Sequence, residues 1–133
     1  MAEGGANMKS LFRIKEILTP EMILECKDWE PVGSRVTCNP APTDTDEDWL
    51  VLVKSMNVFV DMSKPNGWLC GSSLKNCPEF VSLRLNEVNL IITEQIYFWD
   101  KFLAASSVAK MLNLLQKQDR IALFRAVLYA EKC

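Results

Sequence analysis

The chain has 133 residues, 49% apolar and 24% charged, with a net charge of −2; this is the composition of a globular protein long enough to bury about two-thirds of its unfolded surface. It has no histidine, and its five cysteines include no Cys-x-x-Cys pair. This excludes Cys/His zinc sites and Ser-His or Cys-His nucleophile pairs, and argues against a disulfide framework.

The expected organisation is α/β (α+β): one domain over residues 9–133 after a disordered terminus at 1–8, with about four strands in a small mixed sheet, flanking helices and a helical C-terminal tail. Apolar runs are too short to span a membrane, and Met1 to Asn7 lacks a signal-peptide pattern, so the expected setting is the cytoplasm with no membrane partner. Ser10 can cap a helix to about Leu18. Thr19, Pro20 and Glu21 supply a second N-cap, first-turn proline and acid, so a bent helix or two short ones should end near Asp28. Glu30 to Ser34 reads as a short strand. In Arg35 to Pro42, the Asn39-Pro40 and Pro42 positions should stop any helix within a turn.

Trp49 to Lys54 is the most apolar short run and reads as a buried strand. Val58, Phe59, Val60 and Met62 suit a short helix or an edge segment, and Ser63 to Gly67 is a turn. Trp68 to Pro78 reads as a loop, in which Lys75 could touch a phosphate or simply face water. Phe80 to Leu85 and Val88 to Thr93 form a hairpin around Asn86-Glu87. The chain is helical from Gln95, and Asp119 is placed to cap a last helix that buries Ile121, Leu123, Phe124, Val127 and Leu128. Residues 1–50 carry five basic and ten acidic groups, whereas residues 100–133 carry six and three. The tail's excess of base is a weak pointer to a polyanion and reads equally as a solvated face.

The chemistry concentrates at Gly33-Ser34 and at the acids before Trp49. Asp46 and Asp48 are two apart at the start of a strand, so both side chains fall on one face, in position to hold a divalent cation. Asp44-Thr45-Asp46 is a competing register, but Asp46 and Asp48 lie nearest the rigid strand. Glu47 between them should point to the other face and be solvated. Without the Gly-Ser, the same acids would read as an ordinary acidic turn.

This arrangement of strand, Gly-Ser, a connector and Asp-x-Asp opening the next strand resembles the signature of the polymerase-beta-like nucleotidyltransferase superfamily. Its small single-domain members, minimal and phage-encoded, are the nearest likeness. The resemblance spans about residues 29–93, with a looser match through the helical tail. It implies a nucleotidyltransferase fold in which Asp46 and Asp48 are catalytic and bind Mg²⁺ or Mn²⁺, while Gly33, Ser34 and Arg35 meet the phosphates of a nucleoside triphosphate. Arg35 could equally pair with a nearby acid. The superfamily carries a third carboxylate on a late strand, and here Asn89 stands in its place within Val88-Asn89-Leu90-Ile91. Glu87 is the nearest substitute, or simply a turn residue, and Arg84 could face the site or pair with Glu87.

The implied activity is transfer of a nucleoside monophosphate, AMP foremost, to a protein or RNA acceptor in a bacterial cell or a phage-infected host. The alternative is a catalytically impaired relative that binds a nucleotide, RNA or a host protein, as a phage regulator or an antitoxin-type subunit. Self-association into a homo-oligomer is open under either.

Overall fold

The computed structural model describes residues 13–42, 46–71 and 79–129. The expectations about residues 1–8, Ser10, Asp44 and Lys75 therefore lie outside the described residues. Among these, a helical turn, α1 (residues 13–17), precedes α2 (Pro20–Glu25). Thr19 caps α2 by accepting a hydrogen bond from the Met22 amide, with Pro20 in the first turn as its sequence suggests. The chain then extends as β1 (Cys26–Val32), earlier than expected, because its backbone pairs antiparallel with β2 (Glu47–Val53) from Cys26 onward. An irregularity between Cys26 and Asp28 marks this outer strand, and Pro31 is tolerated there because one side of an edge strand needs no ladder donor.

Between the two strands lies α3 (Ser34–Thr37), a single turn, as the downstream prolines require. After β2 come α4 (Met56–Ser63), capped by Ser55, and a two-residue strand β3 (Leu69–Cys70) within the segment expected to be a loop. The hairpin β4 (Val81–Leu85) and β5 (Val88–Thr93) follows, then the helices α5 (Ile96–Leu112) and α6 (Lys117–Tyr129). Among the described residues the sheet has five strands rather than about four, in the order β1-β2-β5-β4-β3. Only β2 and β5 run parallel, so the sheet is mixed and the architecture α+β.

Strand alternation divides the core in two. Trp49, Val51 and Val53 of β2 face one side with Leu83, Leu90 and Ile92, and pack against Ile14, Leu18, Met22, Met56 and Phe59 of the first helices. Leu50 and Leu52 face the other side and meet Phe98 and Trp99 of α5. Each fully buried side chain of this size contributes about 1.5–3 kcal/mol, so β2, apolar on both faces, anchors the fold. By the same parity, Asp46 and Asp48 share the α5/α6 side of the sheet and Glu47 takes the opposite one.

The last helix departs from expectation. None of its residues is fully buried, and Ile121 is exposed. Its backbone turns begin at Gln116, so Asp119 sits in the first turn and does not cap it. An amphipathic stripe predicts which side of a helix faces the protein, but the depth of burial depends on what that side rests on. Here α6 rests on α5 and leaves a gap above the sheet.

Candidate functional site

Register builds the floor of this gap. Val32 of β1 pairs with Asp48, Asp48 with Asn89 of β5, and Asn89 with Arg84 of β4. Residues facing each other across adjacent strands point to the same side, so one row of the sheet carries Asp48, Asn89 and Arg84 together. Polar contacts tie this row together and to its neighbours on the same face. Ser82 Oγ donates to Asn89 Oδ1 at 3.0 Å, and Asn89 Nδ2 donates to Asp48 Oδ1 at 3.1 Å. Arg84 Nη2 reaches Asp46 Oδ2 at 2.6 Å, so of the two roles open to it, Arg84 takes the one on the acid site.

Gly33 fits beneath Asp48. Its φ is +85°, and a Cβ there would collide with the Asp48 carboxylate. Both facts require glycine, but for a reason absent from the sequence reading: the vacant side-chain space admits Asp48 itself. Burial pushes the Asp48 carboxyl above its ordinary range and the charge of Asp46 pushes it further, against the opposing pull of Asn89, Arg35 and Arg84.

Gly33, Ser34, Asp46, Asp48 and Asn89 line one cleft of about 670 Å³, a size typical of small-molecule sites. Its other wall comes from the helices and was missed from sequence. Phe80 stacks on Phe98 with ring centres 5.2 Å apart, Phe98 leads to Phe102, and Phe102 meets Phe124 edge-on at 4.8 Å. Lys117 and Arg120 at the start of α6 complete the wall. Arg120 is fixed by donating to the Leu114 and Leu115 carbonyls at 2.9 and 2.8 Å and to Cys38 Sγ at 3.3 Å. Asn113, the left-handed cap of α5, exchanges two hydrogen bonds with the Asn39 backbone, tying the helical wall to the connector after α3. Helical spacing by itself makes Phe98, Phe102 and Phe124 look like core; only their stacking under a half-buried α6 shows that they border open space.

Two expected site residues fall elsewhere. Arg35 is exposed and lines not the main cleft but a smaller adjoining hollow of about 230 Å³ with Arg13, Glu47 and Asp48, close enough for its charge to act on Asp48. Glu87 is an exposed turn residue outside the cleft; β5 begins one residue too late to carry it onto the face of the sheet that bears Asp48. Glu47 does point to the far face, but it is paired there and only partly exposed. Arg13 grips both its oxygens at 2.9–3.1 Å, and the Trp49 indole N–H donates to it at 2.7 Å. Burial would raise the Glu47 carboxyl, yet the bonds from Arg13 and Trp49 prevail and hold it below its usual range. A buried tryptophan N–H needs an acceptor, and Glu47 is the one within reach. Among the described residues no cluster of three or more acids, cysteines or histidines could hold a metal, and no helix is long and apolar enough to cross a membrane.

No protein-family model matches the chain, and no curated protein matches it. Among solved structures it is similar to the crystal structure of conserved protein GrpB from Enterococcus faecalis, at 17% identity and a TM-score of 0.48, over 94% of this chain and 86% of that one. The functional reading therefore rests on the cleft.

Proposed function

We propose that this chain is a nucleotidyltransferase that takes a nucleoside triphosphate with Mg²⁺ or Mn²⁺ in the cleft and moves its nucleoside monophosphate, AMP foremost, onto a protein or RNA hydroxyl. The observation that carries this reading is the convergence of Asp46 and Asp48 beside the Gly33-Ser34 turn, on the floor of a cleft with an aromatic wall.

The donor set fits a divalent cation. Mg²⁺ takes one or two carboxylates and fills its remaining positions with phosphate oxygens and water. Asp46 and Asp48 are near enough for one charge to disfavour the other, and a cation relieves that repulsion. When bound, the ion would neutralise phosphate charge and orient the triphosphate. The remaining work belongs to the chain. Ser34 offers its hydroxyl and backbone amide to a phosphate oxygen. The Phe80, Phe98, Phe102 and Phe124 wall offers an apolar seat for the base, and stacking of a base on an aromatic ring is worth about 1–3 kcal/mol. Lys117 and Arg120 place positive charge on the same wall for phosphates or an RNA backbone.

A second reading, nucleotide binding without turnover, is favoured by one observation. Asn89 stands where a base would be needed and spends its amide on Asp48, so it can take no proton from an acceptor hydroxyl. Calorimetry with ATP and Mg²⁺, followed by incubation of α-labelled ATP with candidate protein and RNA acceptors, separates the two. The expected result is cation-dependent ATP binding that disappears in Asp46→Ala/Asp48→Ala, with label appearing on an acceptor. Binding with no label on any acceptor supports the second reading. ATP binding that needs no cation, or that survives loss of both acids, removes the site.

A further inference from the structure

We propose that Arg84 is a triphosphate-binding residue held on Asp46, so that cation binding releases it to the nucleotide. The inference rests on the reading of the cleft given above and adds a coupling between its two ligands. Arg84 lies two strands across from Asp48 in the same row, with Asn89 between them. Strands are about 4.8 Å apart, so only a long side chain can reach back to the acids from there. Its guanidinium does so and contacts Asp46 at 2.6 Å.

The pair sits beside the cleft, which Asp46 lines. The Arg84 side chain is 54% exposed and that of Asp46 33%, so the contact is readily exchanged and worth little on its own. A divalent cation that coordinates Asp46 competes for the same carboxylate. Displaced from it, Arg84 remains anchored on β4 beside the acids, with a planar fork of donors that matches phosphate oxygens two at a time. Before a ligand arrives, the chain's own donors share the acids between them: Arg84 on Asp46 and Asn89 on Asp48. After cation binding, one of those donors becomes an anion receptor at the place where phosphate is needed.

The coupling gives Arg84→Gln effects of opposite sign on the two ligands. Mn²⁺ titrated alone, followed by electron paramagnetic resonance, should bind Arg84→Gln on the order of fivefold more tightly than the wild type, because its competitor is gone. ATP titrated in saturating Mn²⁺ should bind on the order of tenfold more weakly, the loss expected for a charge-assisted hydrogen bond. Arg84→Lys, which keeps the charge but not the fork, should also lose ATP affinity. An Asp46→Asn background separates direct competition from a general change in charge: there, Arg84→Gln should tighten Mn²⁺ clearly less than it does in the wild type, because only the pull of its charge on Asp48 remains. Equal Mn²⁺ affinity in wild type and Arg84→Gln, or tightening that is undiminished with Asn at 46, overturns the role of Arg84 and leaves the cleft assignment standing. A wild-type protein that binds neither Mn²⁺ nor ATP overturns both.

Discussion

Gly33→Ala is expected to lose about 2–6 kcal/mol of stability and, with it, nucleotide binding. Two costs add. At φ +85° and ψ −173° the backbone occupies a region open essentially to glycine alone, and forcing a side chain there costs about 1–3 kcal/mol. The new methyl group would also overlap the Asp48 carboxylate, and overpacking of that kind costs a further 1–3 kcal/mol. Asp48 cannot simply swing away, because Asn89 holds its other oxygen and β1 pairs with β2 through Val32 and Asp48. Urea denaturation should show the loss as a lower midpoint, and the melting temperature should fall by roughly 10 °C. A variant as stable as the parent would mean that Asp48 does not lie over this turn.

Asp48→Asn is expected to act in the opposite direction on stability while abolishing cation-dependent nucleotide binding. Folding raises the Asp48 carboxyl above its ordinary value of 3.8, first through burial and then through Asp46. The folded protein therefore holds that proton more tightly than the unfolded chain does. The favourable contribution is complete below the unfolded value and is lost as pH rises through the folded one. At neutral pH the charge on Asp48 is a cost borne by the native state, which asparagine removes while still accepting the hydrogen bond from Asn89. Urea midpoints of Asp48→Asn and wild type should coincide in acid and diverge in favour of the variant between pH 3.8 and neutrality. Stability given up for a charged site is a common trade in binding proteins. A variant less stable than wild type at neutral pH would show that Asp48 is a structural acid.

The fold was legible where the cause is local. The alternation of Phe80 to Thr93 and the apolar run after Asp48 gave β2, β4 and β5, and Pro40 and Pro42 limited α3 to a turn. Parity alone placed Asp46 and Asp48 together with Glu47 opposite. What remained hidden depends on partners distant in sequence. Glu47 reads as solvated until Arg13, 34 residues earlier, and the Trp49 indole are found on it. The length of β1 depends on pairing with β2 and not on its own weak pattern of Cys26, Lys27 and Asp28. The second wall of the cleft could not be read from periodicity, since Phe102 and Phe124 look the same whether they face a core or an opening. Gly33 was singled out for its nearness to phosphate, whereas what the structure puts against it is the carboxylate of Asp48.

The central claim is that Asp46, Asp48 and the Gly33-Ser34 turn form one cation-and-phosphate site. Its most direct test is anomalous scattering from crystals grown with Mn²⁺ and a non-hydrolysable ATP analogue. The expected result is a manganese peak bonded to both carboxylates, with the triphosphate running past Ser34 and the base against Phe98 and Phe124. A nucleotide bound elsewhere, or manganese that touches neither aspartate, would contradict it.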